Sequence, residues 1–180
     1  MLRITIPGRE FWDEVNNEFV SYDDCELKLE HSLVSLSKWE SKWQKPFLTT
    51  DMNGEQTLDY IKIMTINSDV DPEVYTRLTQ ENIETIRDYI SNPMTATTFR
   101  KDQSGKRNNE IVTAELIYYW MIAYNIPFDC QKWHLNRLLT LIQVCEVKNN
   151  PNKKKMSMNE IYSQNSSINA ARRKAVKAKR

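Results

Sequence analysis

The chain has 180 residues, of which 40% are hydrophobic and 27% charged, with three glycines and six prolines. One folded domain, alone or with an extension, is expected, and a low-complexity or largely disordered chain is excluded. The net charge of +1 conceals an asymmetry, because residues 1–147 carry 15 basic and 23 acidic side chains (net −8) and residues 148–180 carry ten basic and one acidic (net +9). An acidic body repels nucleic acid, so any binding to phosphate groups is expected from the C-terminal segment.

Residues 1–31 have the alternating pattern of β-strands. Apolar and polar side chains alternate from Leu2 to Ile6 and again from Cys25 to Leu29, which is the two-residue period of a strand with one buried face. Pro7-Gly8 is a turn dipeptide, and Asn16-Asn17 lies between two aromatic runs, as in a hairpin turn. We predict a small antiparallel sheet with one apolar face.

From Ser32 onwards the apolar residues lie three to four positions apart, which is typical of helices. Ser32, Asp71 and Thr79 are each predicted to be the N-cap of a helix. The first helix ends before Pro46, and further helices are predicted over 55–65, over 72–78 and from Thr79 to Ser91. Residues 94–108 are polar and are expected to form an exposed, mobile loop.

Residues 110–124 are the most apolar stretch, and a second helix is predicted over 129–147. As a helix, the fourteen residues from Ile111 to Tyr124 would be about 21 Å long at roughly 1.5 Å per residue. A membrane span needs about 20 residues, so we expect no membrane association. The short connection predicts that the two helices form an antiparallel pair.

Trp120, Trp133 and Leu141 lie on these two helices and have two possible roles. Aromatic side chains at helical spacing usually pack in a core, but buried aromatics are also favoured anchors in a groove that accepts a partner helix. The apolar positions cover more of the helix circumference than one packing face needs. We therefore name the three residues as candidate partner-binding residues, and a core role stays open for each.

The C-terminal segment begins at a break over Asn149–Asn152. A basic linker follows, and Ser157–Glu160 has the pattern of a capping box before a predicted helix over 158–178. Its basic residues could bind RNA or DNA, or complement the dipole at the end of a helix. Arg172 and Arg173 are the candidate partner-binding residues of this segment.

The predicted fold class is therefore α+β, mostly α. A globular domain over 1–147 contains strands over 1–31 and a helical bundle over 32–147. Residues 148–180 form a basic linker and a basic C-terminal helix.

The sequence offers one partial match to a calcium-binding loop. Asn67, Asp69 and Asp71 stand at the first three ligand positions of an EF-hand loop. Pro72 occupies the position that needs glycine, and Leu78 the position that needs glutamate. We interpret the segment as a helix cap.

The cysteines and histidines do not form a catalytic or metal-binding motif. Cys130 and His134 could share one helix face, but a structural zinc site needs four ligands, and the chain has three cysteines and two histidines without paired spacing. The odd number of cysteines argues against a disulfide framework and favours a reducing cytosol. The first residues lack the apolar region of a secretory signal. We expect no enzymatic activity, no metal and no cofactor.

Five segments of the chain resemble the tail assembly chaperones of long-tailed bacteriophages. They are Leu29–Trp43, Asn92–Phe99, Glu115–Ala123, Trp133–Ile142 and Asn169–Arg173. The likeness covers most of the chain, and none of the segments is a catalytic motif.

The resemblance implies a non-enzymatic assembly factor. Such chaperones coat the long helical tape measure protein and leave as tail tube subunits arrive. It therefore implies binding to the tape measure protein and to the tail tube protein, with self-association as a further possibility. The expected location is the host cytoplasm, and the protein would be absent from the mature virion. The alternative is a nucleic-acid-associated phage protein that acts through the basic C-terminal segment, although nucleic acid is not the expected partner.

Overall fold

A computed structural model describes residues 1–14, 17–99 and 110–149, together with Ser163 and Ser166. The chain divides into two compact units, Met1–Cys145 and Glu146–Arg180. Ser163 and Ser166 are helical, and the rest of the helix predicted over 158–178 lies outside the described residues. The loop predicted over 94–108 is described as far as residue 99.

The fold is α+β and mostly α, which confirms the predicted fold class. The four strands are β1 (Leu2–Ile6), β2 (Arg9–Asp13), β3 (Glu18–Tyr22) and β4 (Cys25–Leu29). The described α-helices are α1 (Leu33–Trp43), α2 (Gly54–Met64), α3 (Gln80–Ser91), α4 (Ala114–Ala123) and α5 (Leu135–Asn149). Three 3₁₀ helices lie between them, at Phe47–Thr49, Pro72–Arg77 and Phe128–Lys132.

The four strands form one long antiparallel hairpin, which we call the ribbon. β1 pairs with β4, from Leu2 opposite Leu29 to Ile6 opposite Cys25. After two residues on each strand the pairing resumes between β2 and β3, with Arg9 opposite Tyr22. The register is therefore the same in the inner half of the ribbon (β1 and β4) and in the outer half (β2 and β3). Ile4, Ile6, Leu27 and Leu29 bury one face of the inner half, as expected.

The two halves of the ribbon meet at Gly8, where the strands approach closely. A Cβ atom at Gly8 would lie 2.3 Å from the carbonyl oxygen of Tyr22. The Gly8 N–H donates to Asp24 Oδ1 at 2.6 Å. On the same part of the ribbon the Arg77 guanidinium donates to the Pro7 carbonyl oxygen at 2.8 Å and lies over the Tyr22 ring. Only glycine fits here without displacing the opposite strand.

Helix α1 is the central element of the helical part. It packs against α2, against α4 and against the 3₁₀ helices at Phe47–Thr49 and Phe128–Lys132. Ser32 caps it, as predicted, by accepting the Ser35 N–H. Trp39 is completely buried, and its indole N–H donates to the Gln56 carbonyl oxygen at 3.2 Å. The predicted caps Asp71 and Thr79 are also present.

Glu40 of α1 is a buried acid with two backbone partners. One carboxylate oxygen accepts the Phe47 N–H and the other accepts the Ala114 N–H, both at 2.7 Å. The side chain of Thr113, the N-cap of α4, makes no capping hydrogen bond. The carboxylate of α1 therefore supplies the acceptor and the negative charge that the start of α4 needs.

The predicted helix over 129–147 is interrupted in the structure. Residues 128–132 form a 3₁₀ helix, and α5 begins at Leu135. Ser32 and His134 form an isolated β-bridge, and the Leu135 N–H donates to the His31 carbonyl oxygen at 2.7 Å. The backbone of His134 and Leu135 therefore bonds to the residues just before α1 and not to a preceding turn of its own helix. Helix α4 packs against α1, and the antiparallel pairing expected of the helices over 110–124 and 129–147 stays a prediction.

Both histidines are buried where α1 and α5 begin. His31 Nδ1 bonds to the Tyr60 hydroxyl at 2.6 Å. His134 Nδ1 accepts the Asn136 N–H at 3.3 Å, so its Nε2–H is the atom that donates to the Tyr89 carbonyl oxygen at 3.0 Å. The His134 ring therefore fits as a neutral imidazole. Burial, and secondarily the neighbouring His134, lowers the pKa of His31 to about 3, and burial also lowers the pKa of His134.

We predict that the protein loses stability as the pH falls below 6.5. The folded pKa of His31 lies below its unfolded value, so the unfolded chain binds more protons. Stability is therefore complete above pH 6.5 and declines as the pH falls towards 3. For His31 the free energy of unfolding should drop by about 2 kcal/mol between pH 7 and pH 5. Urea unfolding at both pH values measures the drop, and equal free energies would contradict the buried neutral His31.

We predict that Gly8→Ala destabilises the ribbon, whereas Gly54→Ala does not destabilise the protein. The added methyl group at residue 8 meets the Tyr22 backbone, but at residue 54 it meets nothing within 4 Å. The free energy of unfolding should fall by about 1–3 kcal/mol for Gly8→Ala. It should stay the same or rise by up to about 1 kcal/mol for Gly54→Ala, at the start of α2. Denaturant unfolding and amide exchange of β2 and β3 measure the effects. An unchanged exchange pattern in Gly8→Ala would refute the close approach.

Candidate protein-binding surface

Helix α4 is apolar on the side that faces away from the core as well as on the side that faces it. Ala114, Ile117 and Met121 are completely buried. On the other side Tyr119 is 63% exposed and Ile122 is 61% exposed. These two residues are three positions apart and therefore lie on one face of the helix.

The exposed face of α4 continues onto the 3₁₀ helix at Phe128–Lys132. Phe128 is 53% exposed, and its ring contacts the half-buried Tyr118 ring with centroids 6.3 Å apart. The Tyr118 hydroxyl donates to Gln131 Oε1 at 2.9 Å, which holds the two helices together. We call Tyr118, Tyr119, Ile122 and Phe128 the α4 patch.

Acidic side chains border the α4 patch. Glu115 is exposed one turn before Tyr119, and Asp129 is exposed directly after Phe128. Burial, and secondarily the charge of Glu115, raises the pKa of the Tyr118 hydroxyl. The patch thus presents aromatic and aliphatic surface beside two carboxylates, which suits a partner that is apolar on one side and basic at its margin.

The structure places the predicted partner-binding residues at the margin of the core. Trp120, Trp133 and Leu141 are half-buried and pack against the buried core residues. The Arg137 guanidinium lies 4.2 Å from the centroid of the Trp133 ring and covers part of it. Arg172 and Arg173 lie outside the described residues.

Three exposed residues of the α4 patch were not predicted from the sequence. Tyr119 and Ile122 follow Glu115 at positions that share its helix face, and Glu115 is one of the few polar residues between 111 and 124. The charge of Glu115 was therefore the one signal in this stretch that indicated which side of α4 faces solvent. Phe128 follows Pro127 in a segment that was predicted to be close to a helix start, and its exposure had no periodic signal.

The described residues bring together no group of three or more histidine, cysteine, aspartate or glutamate side chains that could hold a metal ion. Cys130 and His134 belong to different elements, since Cys130 lies in the 3₁₀ helix and His134 precedes α5. Both ring nitrogens of His134 are engaged in hydrogen bonds. Within the described part of the chain no helix is long and apolar enough to span a membrane.

Comparison of the chain with family models, with curated proteins and with solved structures finds no match.

We predict that Ile122→Ser is tolerated, whereas Ile117→Ser is strongly destabilising. Ile117 is completely buried, so a serine there leaves a cavity and a buried hydroxyl; we expect a loss of about 3 kcal/mol or more. Ile122 lies in solvent, so the loss should stay near 0.5 kcal/mol. Denaturant unfolding of the two variants provides the comparison. Similar losses in both would place Ile122 in the core and remove it from the α4 patch.

Proposed function

We propose that this protein is a tail assembly chaperone of a long-tailed bacteriophage, which binds the tape measure protein and keeps it soluble while the tail tube assembles. The observation that carries the proposal is the α4 patch, where three large apolar side chains are more than half exposed. The resemblance of five segments to such chaperones supports the same function. The role is binding, without an enzymatic step.

The geometry of the α4 patch suits a helical partner. Tyr119 and Ile122 project from one helix face, and Phe128 extends the apolar surface beyond the end of that helix. An amphipathic helix buries its apolar stripe by lying along such a surface. A tape measure protein has long helices with apolar stripes, which aggregate unless another protein covers them.

The acidic body and the small size of the α4 patch support reversible coating. Residues 1–147 carry a net charge of −8, so the acidic bodies keep separate coated complexes apart by repulsion. A contact with few apolar anchors favours release when tail tube subunits arrive. We propose the host cytoplasm as the site of action, the tail tube protein as the second partner, and absence from the mature virion.

Co-expression with the tape measure protein of the same phage tests the proposal. The full chain should raise the soluble fraction of the tape measure protein. The double variant Tyr119→Ser/Ile122→Ser should weaken the complex at least tenfold, which corresponds to about 1.4 kcal/mol. Ile66→Ser is the matched control, because Ile66 is an exposed isoleucine (56%) outside the α4 patch. It should leave binding unchanged.

Three outcomes would contradict the proposal. The first is a tape measure protein that stays insoluble with the full chain. The second is an equal loss of binding in the double variant and in the Ile66→Ser control. The third is a complex with DNA or RNA that weakens steeply with salt and disappears when residues 172–180 are deleted, which would favour the nucleic-acid alternative.

A further inference from the structure

The outer half of the ribbon exposes aromatic side chains on both of its faces. Trp12 and Phe19 stand opposite each other, 46% and 77% exposed, with their rings edge-to-face at 4.9 Å. Phe11 lies on the other face, 37% exposed and stacked against Tyr22 with centroids 6.1 Å apart. The inner half buries one face, but none of the outer-half side chains that the structure describes is buried on either face, which differs from the single apolar face expected from the sequence.

Within the described residues, strand β2 pairs with β3 on one edge and with no strand on the other. The Arg77 guanidinium bonds to the ribbon at Pro7, before β2 begins. A two-stranded sheet leaves one row of backbone N–H and C=O groups unpaired on each outer edge. β2 contains no proline, and its charged residues Arg9, Glu10 and Asp13 oppose pairing with a strand whose charges do not match them.

The sequence of β2 is complementary to itself in the antiparallel direction. When two copies of Arg9–Asp13 pair about Phe11, Arg9 stands opposite Asp13 of the second copy, and Phe11 stands opposite Phe11. Each of the two Arg9–Asp13 pairs between the copies then joins opposite charges. β3 lacks this property, because pairing about Val20 would place Glu18 opposite Tyr22.

We propose that β2 is a self-association surface, which pairs antiparallel with β2 of a second copy about a two-fold axis at Phe11. The result is a four-stranded sheet in the order β3, β2, β2, β3. On one face the Val20 and Phe11 side chains of both copies form a continuous apolar row, because directly opposite residues of neighbouring strands share a face. The Trp12–Phe19 pairs of both copies lie on the other face.

The dimer is expected to be weak. Stable interfaces bury about 1,200–2,000 Å² in total, and two five-residue strands with their side chains offer less than that. The protein should therefore show a concentration-dependent equilibrium between monomer and dimer. The proposal is independent of the chaperone function, since it rests on the ribbon and not on the α4 patch.

Exchanging the charges of Arg9 and Asp13 tests whether the two copies of β2 pair in the proposed register. Sedimentation velocity of the full chain over a wide concentration range measures the association constant. Arg9→Asp alone and Asp13→Arg alone each create two like-charge pairs per dimer, and each should lower the association constant about tenfold or more. The double variant R9D/D13R restores both pairs in reversed order and should return the constant to within about threefold.

Glu18→Arg is the matched control, because Glu18 stands opposite Asp13 and undergoes the same change of charge on the other strand. It should leave the association constant within about twofold. Amide hydrogen exchange of β2 and β3 in each variant establishes that the ribbon is folded. As a second measurement, Phe11→Cys should form a disulfide-linked dimer under mild oxidation more readily than Trp12→Cys, because only residue 11 lies on the two-fold axis.

The proposal is overturned if the wild-type chain stays monomeric at all concentrations, or if Glu18→Arg weakens association as much as Asp13→Arg does. Failure of the double variant to restore association would also overturn it, as would equal cross-linking of Phe11→Cys and Trp12→Cys.

Discussion

The helical part of the structure depends on the carboxylate of Glu40. A buried ionised group is costly unless hydrogen bonds replace its hydration, and here two backbone N–H groups do so. One N–H belongs to the segment after α1 and the other to the start of α4, so a single side chain sets the position of both relative to α1. The α4 patch faces outward because this contact fixes where α4 begins and the buried Ile117 and Met121 fix which side faces the core.

Local signals in the sequence were sufficient to predict most of the helices and strands. The alternation over residues 2–6 and 25–29 predicted two strands that do pair, and Ser32, Asp71 and Thr79 cap the helices that they were expected to cap. Side-chain capping and strand alternation involve neighbouring residues, so these features need no knowledge of the tertiary structure. The break before α5 cannot be predicted without the tertiary structure. The backbone of His134 and Leu135 bonds there to Ser32 and His31, about a hundred residues away in the chain.

The candidate surface was harder to predict than the fold. A helix that is apolar around most of its circumference has no periodic signal that separates its buried side from its exposed side. Tyr119 and Trp120 are adjacent and equally suitable as anchors in the sequence, yet Tyr119 is 63% exposed and Trp120 packs against the core. The difference comes from the rotation of α4 about its own axis, which long-range contacts determine. The aromatic residues of β2 and β3 were correctly predicted to lie in strands, but the sequence did not indicate that their side chains are exposed to solvent.

The common register of the two halves of the ribbon limits which insertions and deletions the chain could accept during evolution. One extra residue between β1 and β2, without a matching residue between β3 and β4, would shift one half of the ribbon against the other. Because side chains alternate between the faces of a strand, such a shift would either expose Ile4 and Ile6 of β1 or rearrange every pair in the outer half. The loop between β2 and β3 is under no such restriction, since it joins the strands beyond their last pair. Length differences among related chains should therefore collect at the tip of the ribbon, or occur as compensated pairs at its middle.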